Sequence, residues 1–185
     1  MTENRRKRNK AGIIWLFLML IWLTVIFSFS AKKADESTVM SHSVGKLIGN
    51  IVIPEYRSWP EDKQEQFAEK IDFPVRKCAH ASEYAVLGVL MLGTAYSFAE
   101  DQGKKNRLLC WCAGTAYAAT DEFHQLFVPG RSCQVRDVCI DSAGILTGIV
   151  LFSLIKHQIA KYNEKKKVAK NVKNQGKSLD KNHDS

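Results

Sequence analysis

The sequence predicts an all-α, polytopic membrane protein: four transmembrane helices, with an external amphipathic segment between the first and second. Three observations carry this. The 185 residues have a mean hydropathy of only −0.20, yet their apolar residues gather into four blocks while the charges gather in the tails and connecting segments. The first block, Ala11–Ser30, is twenty residues without a charge, long enough to cross roughly 30 Å of hydrocarbon. Lysines and arginines also concentrate in the two tails and in the turn between the second and third helices, regions that share one side if there are four spans.

Each element follows from local pattern. The basic start MTENRRKRNK precedes Ala11–Ser30. A cleaved signal peptide would share that charge, but the apolar run exceeds an ordinary h-region and FSFSAKKAD lacks an A-x-A site, so a retained helix is expected. The second block runs from about Phe73 to Ala99, the third from Arg107 to Phe127 and the fourth from Arg136 to Lys156. Each has polar residues near one end and Leu, Val, Ala, Gly and aromatic residues elsewhere, which suits packed helices.

Segment 31–73, with six basic and eight acidic residues, reads as external. Val44, Leu47, Ile48, Ile51 and Val52 repeat at helical spacing, and Trp59-Pro60-Glu61-Asp62 has the form of a helix start. The segment is expected to lie on the outer membrane surface, to cap the bundle, or to form an ordered external loop. Pro129-Gly130 marks a tight turn after the third helix.

Arg5, Arg6, Lys7, Arg8 and Lys10, then Lys104, Lys105 and Arg107, then Lys161 and Lys165–Lys167 share one side if there are four spans. That side is the cytoplasm by the positive-inside rule, so both termini are expected there. The organisation is therefore a basic tail 1–10, a membrane domain 11–156 and a basic, disordered tail 157–185, with too few apolar residues from Lys161 onwards to fold the last around. The net charge of +8 sits beside apolar segments, which points to anionic lipid and not to nucleic acid. Five cysteines make an odd number, and free buried thiols are expected.

Chemistry concentrates at the external helix ends. Residues three or four apart are neighbours on a helix, so Arg76, His80, Glu83 and Tyr84 form one stripe, Asp121, His124 and Gln125 a second, and Asp137 and Asp141 a third. Glu122 is one residue off its stripe and is expected to line a neighbouring wall or to pair with Arg131 or Lys77. Gly114 and Ala118 continue the Asp121 stripe inward, and Gly144 and Gly148 continue that of Asp141. Small residues permit close helix contact, so these stripes are expected to face one another. Arg76, Lys77, Arg131 and Arg136 ring the mouth, against the positive-inside trend.

Several readings stay open. An ion-pair network, Arg76 with Asp121 or Asp137 and Arg136 with Asp141, would simply fix the packing. In a catalytic reading His80 or His124 is the base, oriented by Glu83 or Asp121, and the arginines hold a phosphate or carboxylate. Glu122, Asp137 and Asp141 are counted in the same catalytic cluster, and Lys77, Tyr84, Gln125 and Arg136 among its ligand-binding residues. No Ser or Thr stands beside a His as nucleophile, so water or a substrate hydroxyl would attack. His80-x-x-Glu83 and Asp121-x-x-His124 would also suit a divalent metal, although the arginines oppose one; no cofactor is otherwise expected. A binding reading needs no chemistry at all. Transport between leaflets fits less well, because the polar groups lie near one face and not at the midplane.

RKCAHASEYAVLG, AYAATDEFHQLFVPGR, VRDVCIDSAGILTG and the FSFSAKKADES segment resemble the motifs of the VanZ-like membrane proteins of Gram-positive bacteria, across roughly residues 11–156. Cys133 departs from the pattern, standing where a small residue is expected. The resemblance implies a multi-pass cell-membrane protein of the envelope, linked to low-level resistance to the glycopeptide teicoplanin. It implies no defined reaction. The expected partners are membrane lipids or a lipid-linked wall precursor, and a homodimer is compatible with so small a bundle.

Overall fold

A computed structural model describes residues 3–99 and 103–183. It is all-helical: among the described residues there are five α-helices, one short 3₁₀ turn and no strand. The helices are α1 (Glu3–Ser30), α2 (Ala34–Val52), α3 (Glu61–Phe98), α4 (Lys104–Gln125) and α5 (Val135–His183). Two of them, over Arg5–Ser30 and Val135–Ala169, are long and apolar enough to cross a membrane. The polar residues at the ends of α3 and α4 keep those helices below the same threshold.

The chain divides within α5 into two compact units, Met1–Ile149 and Val150–Ser185. The second is helical through His183, where a disordered tail was expected from composition. Its Lys, Glu and Ala residues are good helix formers, and extending a helix needs no new nucleus.

Within the first unit, α1 is fastened to its neighbours by two side chains. Trp22 Nε1 donates to the Glu83 carbonyl at 2.8 Å, and Tyr117 Oη donates to the Leu23 carbonyl at 3.1 Å. The second span expected from about Phe73 is instead the inner half of α3, a 38-residue helix with Pro74 inside it. At 1.5 Å per residue α3 is about 57 Å long, well beyond the hydrocarbon thickness. Pro74 removes one backbone hydrogen bond, and the helix continues past it.

The segment between α1 and the inner half of α3, expected to be external, is an ordered helical hairpin. Glu55, at φ 61°, turns the chain between α2 and α3. Tyr56, 1% exposed, packs with Trp59 and Phe67 at ring separations of 5.2 and 5.5 Å. The face of α2 that packs on α3 is not its aliphatic one. Ser41, Gly45 and Gly49 are buried, whereas Val44, Leu47, Ile51 and Val52 are exposed. Small residues win the seam because they let the backbones approach: a Cβ on Gly45 would lie 3.2 Å from the Ala68 Cα.

The inner helices meet by the same device, more tightly. A Cβ on Gly144 would collide with the Ala81 carbonyl, and one on Gly148 with that of Ala85. The glycines of α5 thus face α3, not the small-residue stripe of α4 as expected. Gly114 on α4 packs against the Ile145 side chain, and Ala118 is fully buried.

Candidate functional site

Helical spacing carries Asp72, Arg76, His80 and Tyr84 along one side of α3. Asp121, Glu122 and Gln125 close the end of α4, and Asp137 and Asp141 open α5. The turn between α4 and α5 is docked on the α1–α2 junction. Gly130 takes φ +78°, a conformation glycine adopts without strain, and the Ala34 amide donates to the Pro129 carbonyl at 3.3 Å. Arg131 then reaches back, its Nε donating to the Lys32 carbonyl at 3.3 Å.

The carboxylates fall into two groups. Asp137 pairs with Lys77 at 2.6 Å, and Asp72 with Arg76 at 2.6 Å. Asp72 also accepts from the Ser41 hydroxyl. By contrast, Asp121, Glu122 and Asp141 are 4%, 1% and 1% exposed, and among the described residues no Lys or Arg pairs with any of them. Tyr84 Oη donates to Asp121 Oδ2 at 3.2 Å, leaving Oδ1 unpartnered. Glu122 accepts the Gln134 amide at 3.1 Å. Neither oxygen of Asp141 has a hydrogen bond, and its nearest cationic candidate is His80 Nδ1 at 3.9 Å.

This corrects the expected ion-pair network. Arg76 binds Asp72, one turn back on its own helix, and not Asp121 or Asp137. Arg136 is exposed, donates to Gln134 Oε1 at 3.2 Å and lies 4.9 Å over the Phe73 ring, away from Asp141. Glu122 pairs with neither Arg131 nor Lys77. His124 is also set apart: its ring lies 4.7 Å from that of Phe27 and its Nδ1 is unpartnered. Buried Gln125 leaves its Nε2 unpartnered as well.

A cavity of about 620 Å³ opens between α2, α3 and the end of α1. One end of its wall is polar, formed by Lys32, Ser41, Arg76, His80, Glu83 and Arg131. Most of the rest is apolar, with Phe29, Met40, Val44, Ile48, Ile71 and Val75, and Ser37 and Ser82 complete the hydroxyls on the wall. Asp121, His124, Gln125, Asp137 and Asp141 do not line it. His80 therefore stands between the cavity and the buried Asp141. Burial pushes the Arg131 guanidinium below its usual value, and the like charge of Arg76 adds to that. Three cations, Lys32, Arg76 and Arg131, thus face the same space as the Glu83 carboxyl; Asp72 already pairs Arg76, and Arg131 has no carboxylate partner among the described residues.

Lys32, Ser41 and Asp72 were not singled out from the sequence. Asp72–Arg76 was visible as a four-residue spacing; the link from Ser41 to Asp72, 31 positions apart, had no local signal. No group of three or more His, Cys, Asp or Glu side chains among the described residues is arranged to hold a metal ion, so the metal arrangement weighed above gains no support. All five cysteines are free, but only Cys110 is buried.

No curated protein and no solved structure matches the chain. A family profile does, over residues 15–156, a stretch that takes in the latter part of α1, the hairpin, the cavity and the buried acids. The chain belongs to the VanZ/LLP1 family.

Proposed function

We propose that the chain is an integral membrane protein of the cell envelope that holds the anionic headgroup of an envelope lipid or lipid-linked wall precursor in an external pocket, and that this contributes to low-level teicoplanin resistance. Four spans are assigned, α1, the inner half of α3, α4 and the start of α5, with both termini cytoplasmic. Family membership supports the envelope and resistance part. The observation that carries the pocket is the convergence of Arg76 and Arg131 on one cavity. Arg131 lacks any carboxylate partner among the described residues, and an anion between the two guanidinium groups would relieve their repulsion. Guanidinium also suits a phosphate geometrically, through paired N–H donors.

A second reading has one observation in its favour. His80 lies on the cavity wall with Asp141 behind it, an arrangement in which an imidazole could move a proton to or from a bound ester. The protein would then be a hydrolase or transferase on the same class of molecule.

The test is the lipid that travels with the purified protein. Wild-type protein should carry anionic lipid enriched over the bulk membrane, and Arg76→Gln/Arg131→Gln should lose that enrichment at unchanged membrane abundance. Co-purifying lipid with bulk composition in both would refute the pocket. A chemically altered lipid that is present with wild-type protein and absent with His80→Asn would favour the second reading.

A further inference from the structure

Resting on the headgroup reading above, we propose that the trough between α2 and α3 holds one hydrocarbon chain, so that the ligand is a single-chain lipid phosphate. The cavity has two unlike ends. Arg76, Arg131 and Lys32 line one; the other is walled by Val44 and Ile48 from α2 and by Ile71 and Val75 from α3. Its volume, about 620 Å³, sits within the roughly 300–1,000 Å³ of ligand sites. A phosphate headgroup alone would occupy the charged end and leave the aliphatic length open.

The trough follows from how α2 packs. The seam with α3 is made by Ser41, Gly45 and Gly49, so the backbones approach there. Val44 and Ile48 each stand one residue before a seam glycine. They therefore flank the seam and overhang it instead of filling it. Their partners on α3, Ile71 and Val75, are four apart and present one continuous apolar strip. The strip runs toward Arg76, the next residue along the chain. A chain lying on it would end with its anionic group beside Arg76, which Asp72 already pairs, and Arg131, which has no carboxylate partner among the described residues and offers its paired N–H donors to a phosphate.

A single chain is assigned because the trough is one groove between one helix pair. A diacyl lipid would leave its second chain outside. Apolar contact along the groove also gives selectivity that charge cannot: every anionic lipid offers a headgroup, but only one chain fits between two helices.

The experiment uses full-length protein in phosphatidylcholine nanodiscs. The probe is hexadecyl phosphate with a mid-chain diazirine, alongside phosphatidic acid bearing the same diazirine on one acyl chain. After photolysis, the labelled residues are mapped by mass spectrometry. The single-chain probe should label Val44, Ile48, Ile71 or Val75, and excess unlabelled hexadecyl phosphate should abolish that label. Ile48→Trp and Val75→Phe, each filling the trough, should each lower it at least tenfold in protein that remains monodisperse. Uncompeted label spread over the outer face of α1 overturns the proposal, and equal trough labelling by the diacyl probe overturns the single-chain assignment. The two readings fail differently. Glycerol phosphate that protects Arg131 from modification by phenylglyoxal while the chain labels elsewhere leaves the headgroup site standing alone. Trough labelling that is unchanged in Arg76→Gln/Arg131→Gln sinks the headgroup reading and the phosphate assignment with it.

Discussion

In the hairpin of α2 and the outer half of α3, charges meet partners: Glu65 with Lys46 and His42, Asp72 with Arg76 and Ser41. A few turns inward, where α3, α4 and α5 converge, Asp121, Glu122 and Asp141 are buried, and among the described residues neither Lys nor Arg pairs with them. The two regions use the same residue types for different ends. Partly exposed pairs contribute about 0–1 kcal/mol each, so the hairpin owes its form mainly to the small-residue seam and the Tyr56 cluster. Buried carboxylates without a counter-charge cost several kcal/mol unless they are protonated or bound to something. The inner region therefore carries groups that weaken the fold, as functional sites do.

The seams offer the largest test of this contrast. Both regions join helices through glycine, but at different tolerances. Gly144→Val drives a side chain into the Ala81 backbone and should cost about 3 kcal/mol or more, with loss of folded protein from the membrane. Gly45→Ala asks its neighbours on α3 to yield only a few tenths of an ångström and should lower the unfolding midpoint only slightly. Thermal unfolding of both variants in detergent measures the difference. Equal losses would show that the two seams are equivalent and dissolve the comparison.

The next effect separates stability from function. Asp141→Asn removes a buried carboxyl that no hydrogen bond holds, while keeping the shape of the side chain. It should leave stability unchanged or raise it by about 1–2 kcal/mol, and abolish teicoplanin protection. Asp121→Asn should act alike, since only one of its oxygens is held, by Tyr84. Asp72→Asn should do the reverse, lowering stability by up to about 1 kcal/mol and sparing part of the protection. Unfolding midpoints and resistance assays on the three variants, at matched membrane abundance, decide it. Full protection by Asp141→Asn would reduce the inner acids to packing residues.

Much of the inner region was legible from residue spacing. His80, Glu83 and Tyr84 share a stripe because helical geometry puts them there, and Gly114, Ala118, Gly144 and Gly148 pack inside because small residues permit close approach. What escaped reading is long-range or inverted. Lys77 finds Asp137 across 60 positions, and Arg76 had a nearer acid that no hydropathy pattern emphasises. On α2 the aliphatic residues drew attention while Ser41, Gly45 and Gly49 made the contact, because a seam of small residues has almost no apolar signature. The length of α3 was hidden by Pro74 and by the charged residues either side of it, which read as a boundary between an external segment and a span.

The smallest effect lies in the hairpin and depends on pH. Glu65 accepts from Lys46 at 2.5 Å and faces His42 Nδ1 at 2.7 Å. The hydrogen bond from Lys46, and next that from His42, hold its carboxyl below the usual glutamate range. Hydrogen bonding to Glu65 likewise holds the Lys46 ammonium above the usual lysine value. The signs follow from linkage. A lowered carboxyl contributes above its unfolded value and is lost as pH falls through the folded one; a raised ammonium contributes below its unfolded value and is lost as pH rises through its folded one. The contact between α2 and α3 should therefore be constant near neutrality and loosen in acid, below about pH 4. Both groups are solvent-exposed, so the effect is small and shrinks with added salt. Spin labels at Ser43 and Lys70, with their separation followed from neutral to acid pH, would report it. Wild-type protein should show a longer-distance population appearing in acid. Glu65→Gln should show that population already at neutral pH, with no further change on acidification. Because the hairpin forms the trough walls, the same loosening should weaken chain labelling at Val44 while leaving the seam at Gly144 closed. Loss of both together would mean that the hairpin and the inner bundle open as one body.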